Sequence, residues 1–273
     1  ESATYLVGEF SAGTHKAVPL DARLSPLSET LTWTAPSGHL SEGVTLFAER
    51  LAQLVQDVHP RKVTAIGLTA PGQVDEAQGT LLRVPQVRDH VVLPLSKLLA
   101  QALTECGVQE VPPIRVIHDP KAIVVGEHLF GGINGRRSES FTVATMGLGL
   151  GAADSRCPAS HEIGHAQYRE VASSCNAEAL RNSCDCRTPG CYCSWVSSMS
   201  LQHRVRALRD RVPGLSRLID DARVDFRGIV QFTQETQHSD LLDQFTEMGR
   251  ALGHYLALLQ HTWLPNTIVL NGG

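Results

Sequence analysis

The chain is short of positive charge: its 24 Lys and Arg are outnumbered by 28 Asp and Glu, for a net charge of -4. No overall basic field is therefore available to hold nucleic acid or an anionic membrane, and small-molecule chemistry is favoured. Long apolar runs are missing too. The longest weakly polar stretch, FTVATMGLGLGAA over residues 141 to 153, is too short and too glycine-rich to cross a bilayer, which takes roughly 20 apolar residues. The opening ESATYLVGEF lacks the basic region followed by an apolar stretch that marks a leader, and it reads directly as the approach to a strand. The seven cysteines are odd in number, and most crowd into one segment, unlike the scattered even set of a secreted disulfide framework. A cytoplasmic chain with reduced thiols is the expectation. No internal repeat or low-complexity segment stands out.

What is present is an alternation of two patterns. Short apolar runs rich in β-branched residues recur at 4–10, 62–68, 114–117, 141–147 and 266–272, and read as strands buried on both faces. Between them lie helical patterns: Val44, Phe47, Ala48, Leu51, Leu54 and Val58 repeat at i, i+3, i+4 spacing, and LPLSKLLAQAL after Leu93 does likewise. Strands alternating with helices predict an α/β architecture. At 273 residues two lobes are expected, taken here as 1–118 and 119–273.

Asp119 followed by Pro120 predicts a helix start, with Gly131 and Gly132 at its stop. The Asp119 carboxylate falls where a strand ends and a helix begins, the junction at which open α/β sheets bind ligands. A plain helix cap is the competing explanation. Farther on, Leu242, Phe245, Gly249, Leu252, Leu256 and Leu259 predict a core-packing helix, and the arginines of HRVRALRDRV (203–212) read as a solvated face.

Residues 161–193 hold the densest chemistry: HEIGHAQYREVASSCNAEALRNSCDCRTPGCYC carries two histidines and five of the seven cysteines. Zinc favours four tetrahedral thiolate or imidazole ligands, and short C-x-C and C-x4-C spacings let one tight loop offer three of them. Cys184, Cys186 and Cys191 meet that condition, with Pro189 and Gly190 supplying the turn. Spacing leaves the fourth ligand open among Cys193, Cys175, His165 and His161. A structural metal is the expectation, since thiolate-rich sites are closed ones.

HEIGH followed by CDCRTPGC resembles the signature of the ROK family (repressors, open reading frames and sugar kinases). IGLTAPGQVD (66–75), VIHDPKAIVVGE (116–127), TMGLGLGAA (145–153) and WLPNTIVLNGG (263–273) resemble further segments of that family in the same order. The resemblance implies a two-lobed actin-like ATPase (ribonuclease H-like) fold and ATP-dependent phosphorylation of a hexose or N-acylhexosamine hydroxyl. It makes Asp119 the base, in keeping with phosphoryl transfer, which asks a protein for positioning, charge stabilisation and a proton acceptor. It also makes Glu162, His165, His118 and Gln86 sugar-binding residues, Gly13, Thr14, Gly147, Gly149 and Gly272 nucleotide-binding ones, and His165 the fourth zinc ligand. His165 would then serve both the metal and the sugar. The implied partners are a sugar, ATP with Mg, and a second copy of the chain.

Several positions depart from the family pattern. The first phosphate loop corresponds to EFSAGTHK (9–16), in one of two registers. Either Glu9 replaces the family's aspartate and Ser11 and Ala12 its glycines, or Ala12, Gly13 and Thr14 form the turn and Phe10 replaces the aspartate. In the second loop Leu148 stands in place of a threonine, and Arg187 and Cys193 replace a glycine and a glutamate of the zinc loop. The family's final strand and helix, which help enclose adenine, are not among these residues. No helix-turn-helix precedes the first strand, so DNA binding is not expected of this chain. The sugar side is thus better kept than the nucleotide side, and a sugar-binding protein without catalysis, a pseudokinase or the sensor domain of a repressor, is the alternative reading.

Overall fold

A computed structural model describes residues 3–11, 13–35, 40–84, 92–132, 139–157, 162–168, 184, 186, 188–219 and 226–272. The chain divides into two compact units, Glu1–Gly126 and Glu127–Gly273.

The first unit is built on a five-stranded sheet. Strands β1 (Thr4–Glu9), β2 (Thr14–Leu20), β3 (Leu31–Thr34), β4 (Val63–Ala70) and β7 (Ile114–His118) lie in the order β3-β2-β1-β4-β7. β1, β4 and β7 run parallel, while β2 and β3 return antiparallel at one side. A small hairpin, β5 (Gln73–Asp75) with β6 (Thr80–Arg83), follows β4. Helix α1 (Leu40–Asp57) buries the predicted stripe of Val44, Phe47, Ala48, Leu51 and Leu54. Helix α2 (Leu95–Glu105) buries Leu95, Leu99 and Leu103 in the same core, with Leu6, Ile66, Leu68 and Val116 of the sheet. Each such side chain contributes roughly 1.5–3 kcal/mol on leaving water. Helix α3 (Asp119–Phe130) starts directly at the end of β7.

β2 is absent from the sequence expectation, and its composition explains why. Its buried positions alternate as His15, Ala17 and Pro19, a period-two stripe. None of those residues reads as strand-forming on its own.

The second unit holds a three-stranded sheet in the order β10-β8-β9, formed by β8 (Phe141–Met146), β9 (Leu150–Asp154) and β10 (Thr267–Gly272). β8 and β10 are parallel, and β8 and β9 make a tight antiparallel pair. Helices α4 (Tyr192–Val196), α5 (Ser198–Arg206), α6 (Phe226–Thr236) and α7 (Ser239–Trp263) complete the unit. No helix among the described residues is long and apolar enough to cross a membrane.

Two helical expectations need correction. In α7 the fully buried positions are Leu241, Gln244, Ala251, Tyr255 and Leu259, while Leu242 is 36% exposed. The core-facing stripe is centred one residue earlier than the leucine pattern suggested, because Ala251 and Tyr255 share it with the leucines. In α5, Arg204 is not on a solvated face: it is fully buried, on the stripe shared with Leu201, Val205 and Leu208. Its Nη2 donates to the Trp195 carbonyl at 2.8 Å and its guanidinium lies over the Trp195 ring. Arg209 and Arg211 are exposed, as expected.

Candidate functional site

In the second unit, His165, Cys184, Cys186 and Cys191 bring one donor atom each to within 4.8 Å of one another. The Cys186 and Cys191 sulphurs are 3.6 Å apart, and Cys184 Sγ is 3.3 Å from His165 Nδ1. A tetrahedral zinc ion, about 2.3 Å from each sulphur, sets its sulphur ligands roughly 3.8 Å apart. The spacing and the soft donor set therefore fit such an ion. Of the alternatives left open by spacing, Cys193 is buried but outside this group of four. Cys175 and His161 lie outside the described residues.

Local structure explains why these residues converge. Gly190 adopts φ +73°, a left-handed turn open to glycine, and its carbonyl accepts from Tyr168 N at 2.9 Å. Cys191 then caps α4, its Sγ accepting from Ser194 N at 3.3 Å. On the other side, Ile163–His165 forms one 3-10 turn pressed against β9. A Cβ on Gly164 would lie 2.0 Å from the Leu150 carbonyl oxygen, so only glycine allows this approach.

His165 presents its second ring nitrogen to the predicted sugar-binding carboxylate: Nε2 lies 3.3 Å from Glu162 Oε2. Burial pulls the imidazole pKa down, but the Cys186 and Cys191 sulphurs and the Glu162 carboxylate overcome this and hold it up at about 11. The Cys186 thiol is pushed far below its ordinary range, chiefly by Cys184 and Cys191. Cys184 and Cys191 are pushed up, Cys184 chiefly by Cys186 and Cys191 chiefly by Cys184. Thiolate and neutral imidazole are the forms that bind a dication, so metal binding at such a cluster releases protons.

The glycines of the second unit gather at one sheet end. Gly147 and Gly149 form the β8–β9 turn, with Gly147 N donating to Gly149 O at 3.0 Å. Gly272 is the last residue of β10 and pairs with Met146 of β8. Leu148 between them is 47% exposed.

In the first unit, His118 and Asp119 stand at the carboxyl end of β7, two strands from β1 in the same sheet. His118 is buried, and its Nε2 lies 3.3 Å from Asp119 Oδ1, whose side chain is 48% exposed. Lys121, in the first turn of α3, pairs with Glu76. Gln86 lies outside the described residues.

Gly13 and Thr14 sit in the β1–β2 turn, and their backbone N–H groups are already taken. Both donate to Ser11 Oγ, at 3.1 and 3.3 Å, and Ser11 N donates to His15 Nδ1 at 3.1 Å. The neighbouring Glu9 carboxylate pairs with Lys16 at 3.0 Å, and Phe10 is fully buried against His15 and Phe47. Burial lowers the His15 pKa to about 4, which keeps the ring neutral and able to accept at Nδ1. His15 was missed by sequence reasoning, and Ser11 was seen only as standing at a family glycine, although a serine two and three residues before Gly13 and Thr14 is a local turn signal.

The profile of the ROK family matches residues 40–273. The DNA-binding transcriptional repressor Mlc of Escherichia coli is 24% identical over 217 residues, which cover 77% of this chain and 48% of that protein. The chain thus spans about half the length of that curated relative. Among solved structures, a ROK family glucokinase from Streptomyces griseus in complex with glucose and AMPPNP superposes with a TM-score of 0.75 at 22% identity. The match covers 99% of this chain and 83% of that one. A ROK family transcriptional regulator, a homologue of Mlc, gives 0.72 at 19% identity over 98% of this chain and 64% of the other. The ROK hexokinase of Thermus thermophilus gives 0.63 at 20% identity, over 99% and 82%. At these identities the likeness establishes the fold, the actin-like ATPase fold of the sugar kinases.

Proposed function

The chain belongs to the ROK family, and from that premise we propose that it binds a hexose or N-acylhexosamine and phosphorylates one of its hydroxyls from ATP. The observation that carries this reading is the carboxylate of Asp119, half exposed at the strand–helix junction and held beside His118. A base must reach its hydroxyl, and a half-exposed carboxylate at this junction is placed to be reached. Asp119 accepts the proton of the sugar hydroxyl. Glu162, His165, His118 and Gln86 bind and orient the remaining hydroxyls, and a zinc ion on His165, Cys184, Cys186 and Cys191 fixes the His165 ring. Mg-ATP supplies the phosphoryl group, whose oxygens the Leu148 and Gly149 N–H groups of the β8–β9 turn are suited to hold, the Gly147 N–H being engaged by the Gly149 carbonyl, with Gly272 beside them.

A second reading, sugar binding without phosphoryl transfer, is favoured by one specific observation. In the β1–β2 turn the N–H groups of Gly13 and Thr14 are filled by Ser11, and Glu9 is engaged with Lys16. The likeness to Mlc agrees with it.

Coupled ADP release over a panel of hexoses and N-acylhexosamines with Mg-ATP tests the first reading. Turnover no higher than that of Asp119→Asn sinks it. Calorimetry then decides the second, which requires sugar binding with no heat on addition of Mg-ATP.

A further inference from the structure

Both ends of the Gly147–Gly149 turn rest on segments that carry a ligand of the candidate metal centre. At one end the Gly147 carbonyl accepts twice from Ser198, from its backbone N–H and from its hydroxyl, each at 2.9 Å. At the other end the Leu150 carbonyl lies against Gly164, the residue before His165, at a distance that leaves no room for a Cβ.

The route from Cys191 to Ser198 is short and tightly bonded. Cys191 caps α4, its carbonyl accepts from Ser194 Oγ at 2.7 Å, and every residue of α4 is buried. Ser197 closes α4, donating its N–H to Cys193 O at 3.0 Å, and caps α5 by accepting from Ser200 N at 3.2 Å. Ser200 Oγ donates to Ser194 O, and Arg204 donates to Trp195 O, so two carbonyls at the end of α4 are satisfied by the helix that follows. Cys191 and Ser198 are seven residues apart, joined by α4 and the extended Ser197. A close-packed, buried element of this kind transmits a displacement rather than absorbing it.

We infer that the metal centre holds the glycine turn from both ends, through Ser198 and Gly164 as positioning residues, so that one ion sets the geometry of both the Glu162–His165 pair and the anion-facing turn. Leu148 offers no hydroxyl there, so the turn depends on the placement of its backbone N–H groups. The inference rests on the four-residue centre binding metal, which elemental analysis of the purified protein tests by itself.

Hydrogen exchange read by mass spectrometry tests the coupling without any need for turnover. Peptides covering the turn are compared in the zinc-replete protein, after stripping with a chelator, and in Ser198→Ala and Ser198→Thr at verified zinc content. The expected result is exchange about tenfold faster at Gly147, Leu148 and Gly149 on stripping, with protection of β8 retained. Ser198→Ala at full zinc gives a rise of the same order, and Ser198→Thr, which keeps both donors, does not. Faster exchange confined to 184–191, with the turn unchanged, overturns the inference. Should stripping melt the whole second unit, Ser198→Ala decides: wild-type exchange at the turn overturns it, and a local rise with zinc and β8 protection intact sustains it. A protein without bound zinc fails the metal reading instead, a result distinct from either.

Discussion

The Nε2 of His165 lies 3.3 Å from Glu162 Oε2 while its Nδ1 faces the Cys184 thiol at 3.3 Å. One imidazole therefore joins the soft-ligand cluster to the carboxylate proposed to hold sugar. Groups that orient a metal ligand act on both partners at once, and removing one costs typically 10–100-fold in affinity.

Cys184→Ser is expected to abolish zinc binding and to weaken sugar binding by about 10–100-fold, because His165 loses the bond that fixes its ring. Elemental analysis and calorimetry with glucose and N-acetylglucosamine check the two halves together. If the metal is lost while sugar affinity stays, the Glu162–His165 link carries nothing between the sites.

Asp119→Asn is expected to leave sugar affinity within a few-fold and to cut turnover by about 10²–10⁴-fold, the contribution of a general base. The amide keeps the shape of the side chain and its place beside His118, so only proton acceptance is removed. A large loss of sugar binding with unchanged turnover would make Asp119 a binding residue instead.

Stability should fall in acid through Asp154. Burial raises its pKa, but hydrogen bonds from the Arg156 side chain and backbone, and from Thr142 Oγ1, outweigh this and hold it below the ordinary carboxylate range. A group with a depressed folded pKa contributes stability that is present above its unfolded value, near pH 4, and lost as pH falls through the folded value. Asp154→Asn is expected to cost about 1–3 kcal/mol at pH 7, with the gap to wild type closing below about pH 4. Melting temperatures of the two proteins across pH 3 to 7 measure it, and a pH-independent gap contradicts the assignment.

The sequence made the strands at β1, β4, β7, β8 and β10 legible because their runs are apolar and β-branched, but the expected burial on both faces fails for β10, in which no residue is buried and Leu270 is 54% exposed. It made the candidate ligand group legible because Cys184, Cys186 and Cys191 are close in sequence, and because HEIGH lies in the same segment. Spacing left the fourth ligand open and the family resemblance pointed to His165; the fold brings His165, and not Cys193, into the group with Cys184, Cys186 and Cys191. Arg204 was misread because charge alone suggested solvent, whereas its helical position places it among Leu201, Val205 and Leu208. Ser11, seen only as standing at a family glycine, and Ser198 were left without their roles for a related reason. Their importance lies in which backbone groups they reach, and only the folded turn fixes that.

The β1–β2 turn yields the prediction that separates the two functional readings. Ser11 Oγ accepts from Gly13 N and Thr14 N, so a phosphate oxygen approaching those donors must displace a bond already made to each. Two such bonds at about 1 kcal/mol apiece correspond to roughly 30-fold in affinity. The Glu9–Lys16 pair adds little to this barrier, since both side chains are about half exposed and such pairs are worth about 0–1 kcal/mol. Ser11→Gly removes the hydroxyl and leaves both N–H groups free, with the turn still closed by the β1–β2 ladder. If the turn is a blocked phosphate cradle, this variant binds Mg-ATP about tenfold or more tightly than the wild type in a calorimetric titration, with sugar affinity unchanged. If wild type and variant bind Mg-ATP alike, Ser11 is only a turn residue and the case for a non-catalytic protein loses its structural support.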